Sequence, residues 1–172
     1  MARATTPKAL LEHPTLDTMG MFFEAHGAIV EAASQQMEAD HGISGQRFEV
    51  LLRLARTSGH RLRMTDLAAQ TTLSASGLTR VVDRLVANGL VERTSCPSDR
   101  RGSFAALTPA GEALILAALP GHLDQLTDIL EGALSPKEIE TFGALIRRLR
   151  DHVHPDAARG AHLADCEGVR PG

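Results

Sequence analysis

The sequence predicts a mainly α-helical protein that carries one small β-hairpin. Apolar residues recur at helical spacing over most of the 172-residue chain, and two short strand-like runs flank a loop rich in arginine. Charges interrupt every long apolar stretch, so no run approaches the ~18 residues that a membrane span requires. We therefore expect a soluble, cytoplasmic protein with no membrane partner.

The first long helix is expected within residues 14–43. Apolar positions from Leu16 to Met37 follow helical spacing, and Gly42 is the kind of residue that lies just beyond a helix C-terminus. Residues 1–13 before it are expected to form a flexible arm.

Residues 44–107 contain a series of short elements. A helix begins at Ser44 and a short strand lies near Leu62; Thr65 is expected to cap a brief helix over residues 66–70. After a turn, a further helix runs from Ser74 to about Asn88. Its apolar stripe at i, i+3, i+4 and i+7 must be buried. The stripe consists of Leu78, Val81, Val82 and Leu85.

The hairpin follows directly. Residues 91–95 and 103–107 are expected to be strands, and the loop between them carries Asp99, Arg100 and Arg101. The order helix, turn, helix and hairpin defines a winged helix-turn-helix. This arrangement is typical of small proteins that bind DNA grooves.

Residues 108–153 are expected to form two more helices. Thr108-Pro109 opens the first, which extends to about Glu131, although Pro120 should break or kink it. Ser135 to Glu138 is a capping box that opens the last helix. Residues 154–172 are expected to be a disordered tail.

Charged residues are unevenly distributed along this chain. The whole chain carries −3, yet residues 44–107 contain ten arginines against five acidic residues. The remainder has eight basic against sixteen acidic residues. Phosphate neutralisation requires a local positive field rather than a high overall pI. The alternative is that these arginines lie on solvated helix faces.

The order and spacing of several short motifs resemble the MarR family of bacterial winged-helix regulators, strongly over residues 44–115. They are Leu67-Ala68, Leu73 to Ser76, Leu78 to Leu85, Gly89 to Arg93, Asp99 to Arg101 and Leu107 to Gly111. The resemblance implies a transcriptional repressor, with an activator as the alternative, that binds double-stranded DNA. The resemblance also implies a small-molecule effector that releases the DNA. It implies no cofactor.

The resemblance also implies which residues contact DNA. On the helix these are Ser74, Ser76, Thr79 and Arg80, with Arg84 on the same exposed face; an ordinary amphipathic helix with a solvated outer face is the alternative. In the hairpin, Arg101 would enter the minor groove while Asp99 braces its guanidinium, and Arg100 would contact phosphate. The alternative there is a solvated hairpin tip.

A homodimer is expected because the helices over residues 14–43 and 108–153 are too apolar along one stripe to remain exposed. Two chains that interleave them would form a helical dimerisation layer and present two DNA-binding helices to successive major grooves of a near-palindromic site. The alternative is that these helices fold back on their own chain.

Other functions receive less support from the sequence. His26, Arg47 and Arg53 are candidate effector ligands, although a histidine on an apolar face is more often a core residue. Cys96 is a weak candidate for redox sensing, and the residues form no metal motif. The motifs of common enzyme classes are absent from the sequence, so we expect no catalysis. A winged helix that binds an acidic protein partner is the alternative function.

Overall fold

The computed structural model describes residues 6–71, 73–96 and 99–155, without the side chains of residues 95, 96 and 99–102. Over these residues the chain is mainly helical, with one small sheet. The helices are α1 (Pro7–Leu11), α2 (Pro14–His41), α3 (Gly45–Ala55), α4 (Met64–Gln70), α5 (Ala75–Ala87), α6 (Pro109–Glu131) and α7 (Pro136–Val153), with a 3-10 turn at Ser58–His60. The strands are β1 (Arg61–Arg63), β2 (Val91–Cys96) and β3 (Asp99–Leu107).

The three strands form an antiparallel sheet in the order β1-β3-β2. β3 therefore pairs on both edges, with Leu62 opposite Ala105 on one side and Thr94 opposite Phe104 on the other. The hairpin strands are longer than expected, because pairing continues past a register shift after Ser95. The prediction that residues 99–102 form a loop was wrong, since they belong to β3; Pro97 and Ser98 lie outside the described residues.

The hydrophobic core lies between α3, α4, α5, the sheet and the first half of α6. The predicted stripe of α5 is buried as expected, and α3 adds Val50, Leu51 and Leu54. Ile115 and Ala118 of α6 close the core from the other side. The helix-turn-helix and the hairpin thus share one core with the helix that follows them.

Local capping explains where several helices begin. The Ser74 hydroxyl accepts a hydrogen bond from the backbone N–H of Gly77 at 3.1 Å, and Gly42 ends α2 in the left-handed region at φ 63°. The prediction for Thr65 was wrong. β1 pairs with β3 as far as Arg63, and the chain enters α4 at Met64, so Thr65 lies within the first turn.

The expectation for the N-terminal arm was partly wrong, and the expectation for the C-terminal tail falls mostly outside the described residues. Part of the supposed flexible arm is helix α1, because the Thr6 hydroxyl caps it at the backbone N–H of Ala9 and Pro7 occupies the first helical position. Residues 1–5 and 156–172, which include most of the proposed tail, lie outside the described residues.

Pro120 does not break α6, contrary to the expectation. The helix is continuous from Pro109 to Glu131. Two reciprocal hydrogen bonds join α6 to α2 around the proline: Gln36 Nε2 donates to the Gly121 carbonyl at 2.9 Å, and Gln125 Nε2 donates to the Ala32 carbonyl at 3.2 Å. Tertiary contacts of this kind offset the hydrogen bond that proline removes.

The start of α6 is fixed against the end of α5. Thr108 donates its backbone N–H to the Leu90 carbonyl at 3.1 Å and its hydroxyl to the Gly89 carbonyl at 2.7 Å. The same hydroxyl accepts from the backbone N–H of Gly111 at 3.1 Å. A Cβ atom at Gly111 would overlap the Leu90 carbonyl oxygen, so this position requires glycine. We call this set of contacts the α5–α6 junction.

α7 and the first half of α2 leave their apolar faces exposed in the single chain. α7 has no buried residue, and Met37 is the one fully buried residue of α2. Leu145 is 54% exposed and Phe23 is 62% exposed. The alternative required these helices to fold back and bury their stripes within one chain. In the described residues the stripes are exposed instead.

Gly111→Ala should destabilise the protein by about 1–3 kcal/mol, because the added methyl group must displace backbone at the α5–α6 junction. The free energy of unfolding in urea measures this. Gly143→Ala is the matched control: a Cβ there meets no atom within 4 Å, so the helix should be unaffected or gain up to about 1 kcal/mol. Equal stability of the two variants would contradict the crowding at Gly111.

Candidate nucleic-acid interface

The outer face of α5 presents a polar surface to solvent. Five residues expected to contact DNA are exposed there: Ser74, Ser76, Thr79, Arg80 and Arg84. The Ser74 and Ser76 hydroxyl oxygens lie 3.3 Å apart at the N-terminal turn, and the Thr79 hydroxyl donates to the Ala75 carbonyl at 2.9 Å. Guanidinium groups can donate two hydrogen bonds to a guanine edge, and hydroxyls can bind bases or phosphates.

The N-terminus of α5 is also open to close approach. Ala75 and Ser76 are small and exposed, so a phosphate can reach the unpaired backbone N–H groups of the first turn. The helix dipole favours negative charge at this end. This end of α5 therefore suits the DNA backbone, and the arginines further along suit the bases.

The second set of residues that we expect to contact DNA lies in the hairpin. Asp99, Arg100 and Arg101 occupy the first positions of β3, at the end of the hairpin away from the core. Their side chains, like that of Cys96, lie outside what the structure describes. The brace between Asp99 and Arg101 therefore stays a prediction, as does any redox role of Cys96.

An ion pair that the sequence reasoning missed links α5 to the hairpin. Arg93 Nη2 donates to Asp83 Oδ1 at 2.8 Å, and Arg93 Nη1 donates to the Ser103 hydroxyl at 3.4 Å. Asp83 lies on the exposed outer face of α5, whereas its partner lies on β2. Only the register of the hairpin brings the two together.

Two arginines of β1 stack on Phe104 of β3. The guanidinium carbon of Arg61 lies 5.7 Å and that of Arg63 lies 5.1 Å from the ring centroid. Such cation–π contacts hold arginine side chains against a surface while leaving their charge in place. They add positive charge at the sheet edge that precedes α4.

The three effector candidates do not converge within one chain. His26 is exposed within one chain and stacks on Phe22, with 6.5 Å between the ring centroids, so its role in effector binding stays a prediction. The first half of α2 extends beyond the core, which explains the exposure. Arg47 donates to the Ser44 hydroxyl at 3.2 Å and Arg53 pairs with Glu49 at 3.7 Å, each along α3.

A groove of about 600 Å³ lies instead between α2 and α6. The Oε1 atoms of Gln36 and Gln125 are buried beside it, and neither has a hydrogen-bond partner within the described part of the chain. The groove is lined by Ala32, Gln36, Gly121, Asp124, Gln125, Asp128 and Ile129. The exposed carboxylates of Asp124 and Asp128 line the groove, so it suits a molecule that donates hydrogen bonds.

His122 is a further residue that sequence reasoning missed. Its ring meets Phe48 edge-on at 4.8 Å between centroids, where α6 packs on α3, and its Nδ1 atom is buried without a partner among the described residues. Burial lowers the pKa of His122 below its usual 6.5, because the charged imidazolium loses water. The imidazole is therefore neutral near pH 7.

The described residues offer no other obvious site. No group of three or more His, Cys, Asp and Glu residues in the described ranges is arranged to hold a metal ion. Among those same residues, no helix combines the length and apolar character that a membrane span needs.

A helix-turn-helix with an exposed polar helix face, followed by a hairpin with arginines at its tip, defines the winged-helix class of DNA-binding proteins. A family model described as the MarR family matches residues 41–102. The HTH-type transcriptional repressor YetL of Bacillus subtilis is 29% identical over 114 residues, which cover 64% of this chain and 68% of that protein.

Solved structures agree over nearly the whole chain. Sco3205, a MarR family transcriptional regulator from Streptomyces coelicolor solved in complex with DNA, is 30% identical with a TM-score of 0.74; the match covers 95% of this chain and 98% of that one. BpsR of Bordetella bronchiseptica, whose DNA binding is regulated by 6-hydroxynicotinic acid, is 27% identical with a TM-score of 0.68, over 78% of this chain and 99% of that one. This chain belongs to the MarR family of transcriptional regulators.

The buried neutral His122 predicts a stability that falls in mild acid. Its folded pKa lies below the unfolded value of 6.5, so the unfolded chain binds the proton more readily. The contribution of His122 to stability is therefore complete above about pH 7.5 and is lost as the pH falls through the folded pKa.

The measurement is the free energy of unfolding of wild type and His122→Gln at pH 7.5 and pH 5.5. The other histidines are common to both proteins, so the difference isolates His122. The variant should lose less stability between the two pH values. An identical loss would show that His122 titrates normally.

Proposed function

We propose that this protein is a sequence-specific repressor that binds a near-palindromic promoter site as a homodimer. The observation that carries the proposal is the exposed polar face of α5 with a hairpin fixed beside it. The family membership and the DNA-bound relative Sco3205 support it. Such a regulator binds the chromosome in the bacterial cytoplasm, and its function is binding rather than catalysis.

The exposed apolar stripes of α2 and α7 support the homodimer. Burying apolar surface is worth about 25 cal/mol per Å², so large exposed leucine and phenylalanine side chains favour association. The α7 stripe consists of Ile139, Phe142, Leu145, Ile146, Leu149 and Val153. A twofold arrangement that pairs these stripes would direct two α5 helices to successive major grooves, with half-sites about 10–10.5 base pairs apart.

The hairpin would add contacts on either side of each half-site. A narrow minor groove has an enhanced negative potential that attracts arginine. Arg101 would enter it from the hairpin tip, with Asp99 as its brace and Arg100 near a phosphate. Local excess of arginine over residues 44–107 supplies the field that phosphate binding requires.

A small effector would release the DNA, as 6-hydroxynicotinic acid regulates DNA binding by the relative BpsR. The groove between α2 and α6 offers space for a small molecule, and the Asp124 and Asp128 carboxylates line it. Because α6 continues directly from the α5–α6 junction, occupation of the groove is positioned to alter the angle between the dimer layer and α5. His26, Arg47 and Arg53 would belong to this site only if the partner chain brings them together.

Selection of genomic DNA fragments by the purified protein, followed by sequencing, tests the proposal. Enrichment of a near-palindrome is expected, with a preference over random duplex of ~4–10 kcal/mol and a steep dependence on salt. Weak binding without sequence preference would instead favour a winged helix that binds an acidic protein partner.

Arg101→Ala should weaken binding to the selected duplex by about 1–3 kcal/mol, because a minor-groove arginine is lost. Arg147→Ala removes the same charge from the polar side of α7 and serves as control. Equilibrium titration with labelled duplex measures both. Equal affinity of Arg101→Ala and wild type would refute the role of the hairpin tip.

Leu145→Asp should dissociate the dimer, since a buried and unpaired carboxylate costs several kcal/mol at the interface. Ala144→Asp adds the same charge on the opposite side of α7 and should stay dimeric. Sedimentation velocity distinguishes the two species. If Leu145→Asp sediments as a folded dimer, Leu145 does not lie in the dimer layer.

A further inference from the structure

The carboxylate of Asp83 lies on a surface that otherwise suits phosphates. It is 59% exposed on the outer face of α5, one turn beyond Arg80 and next to Arg84. A negative charge on such a face lowers the affinity for every DNA sequence. Its presence there calls for a compensating contact, and Arg93 provides one at 2.8 Å.

Arg93 connects three elements at the base of the hairpin. One nitrogen of its guanidinium donates to Asp83 on α5, and another donates to Ser103 on β3, while its own backbone belongs to β2. The planar guanidinium holds such pairs of acceptors in a fixed geometry, which a lysine ammonium does not. We call this contact set the hairpin brace.

The stability that this brace adds is small. Arg93 is 35% exposed and Asp83 more so, and exposed ion pairs contribute about 0–1 kcal/mol. The core of the hairpin is already held by Val91, Phe104 and Ala105. What the brace does restrict is the direction in which the hairpin leaves α5.

We propose that Asp83 and Arg93 are positioning residues that set the hairpin at the angle at which α5 and the hairpin tip contact neighbouring grooves together. This inference rests on the proposed DNA-binding function and deepens it. Arg101 lies two residues beyond Ser103, about 7 Å along the strand, so a rotation at the brace moves the tip arginines directly. Sequence preference depends on both contacts being made at once.

Two roles for Asp83 predict opposite signs. If it acts only through its charge, Asp83→Asn removes a repulsion and tightens binding to operator and random duplex alike. If it positions the hairpin, the same substitution weakens operator binding while random binding stays equal or becomes tighter. The ratio of the two affinities therefore separates the roles.

The test uses the full-length dimer, a duplex recovered by the genomic selection and a random duplex of the same length. Asp83→Asn should lower the operator-to-random affinity ratio by about threefold to fivefold, the most that an exposed ion pair can contribute to positioning. Glu92→Gln is the matched control, because it removes the same charge from β2 on the face opposite Arg93 and should leave the ratio within about twofold. Arg93→Lys, which keeps the charge, should behave like Asp83→Asn.

A double variant tests the coupling to the tip. In the Asp83→Asn background, Arg101→Ala should lower operator affinity by less than about threefold, because an arginine that is already misplaced contributes little to binding. An undiminished ratio in Asp83→Asn and Arg93→Lys, with the full Arg101 effect retained, would overturn the inference. Absence of any preference in the wild type would refute the proposed function itself, a result visible without the variants.

Discussion

The α5–α6 junction is the contact on which the arrangement of this protein depends. Thr108 donates hydrogen bonds to the Gly89 and Leu90 carbonyls, and Gly111 packs closely against the Leu90 carbonyl, at the point where α5 ends, β2 begins, β3 ends and α6 starts. Four elements therefore leave one small region with fixed directions. The hairpin extends from it on one side and the helix leading to the exposed apolar layer extends on the other. The backbone N–H and the hydroxyl of Thr108 both join the start of α6 to the segment that follows α5.

Charge and apolar surface are divided between the two ends of this arrangement. Arginine is concentrated in residues 44–107, whereas the flanking regions are acidic and expose leucine and phenylalanine. The acidic remainder brings the overall charge to −3, and salt screens those of its charges that lie more than a Debye length from α5. One end thus suits phosphate and the other suits a second copy of the chain.

Features determined by neighbouring residues were predictable from the sequence, and those determined by distant pairing were not. The buried stripe of α5, the Ser74 cap and the Thr108-Pro109 start depend on spacings of a few residues. The Asp83–Arg93 pair depends on hairpin register, and the continuity of α6 through Pro120 depends on hydrogen bonds to Gln36 and Ala32 of α2, which lie far away in sequence. His26 followed helical spacing, but spacing does not show how far a helix extends beyond its core. The roles of Asp99, Arg100 and Arg101 stay predictions, because their side chains are not described.

In the proposed complex, two copies of α5 enter successive major grooves while the hairpins contact the minor grooves beside them. Hydroxyl-radical footprinting of a selected duplex measures this at single-nucleotide resolution. The account predicts a pattern with twofold symmetry, two half-sites about one helical turn apart and protected minor-groove sugars on each flank. A single footprint without symmetry, or protection confined to one groove, would contradict it.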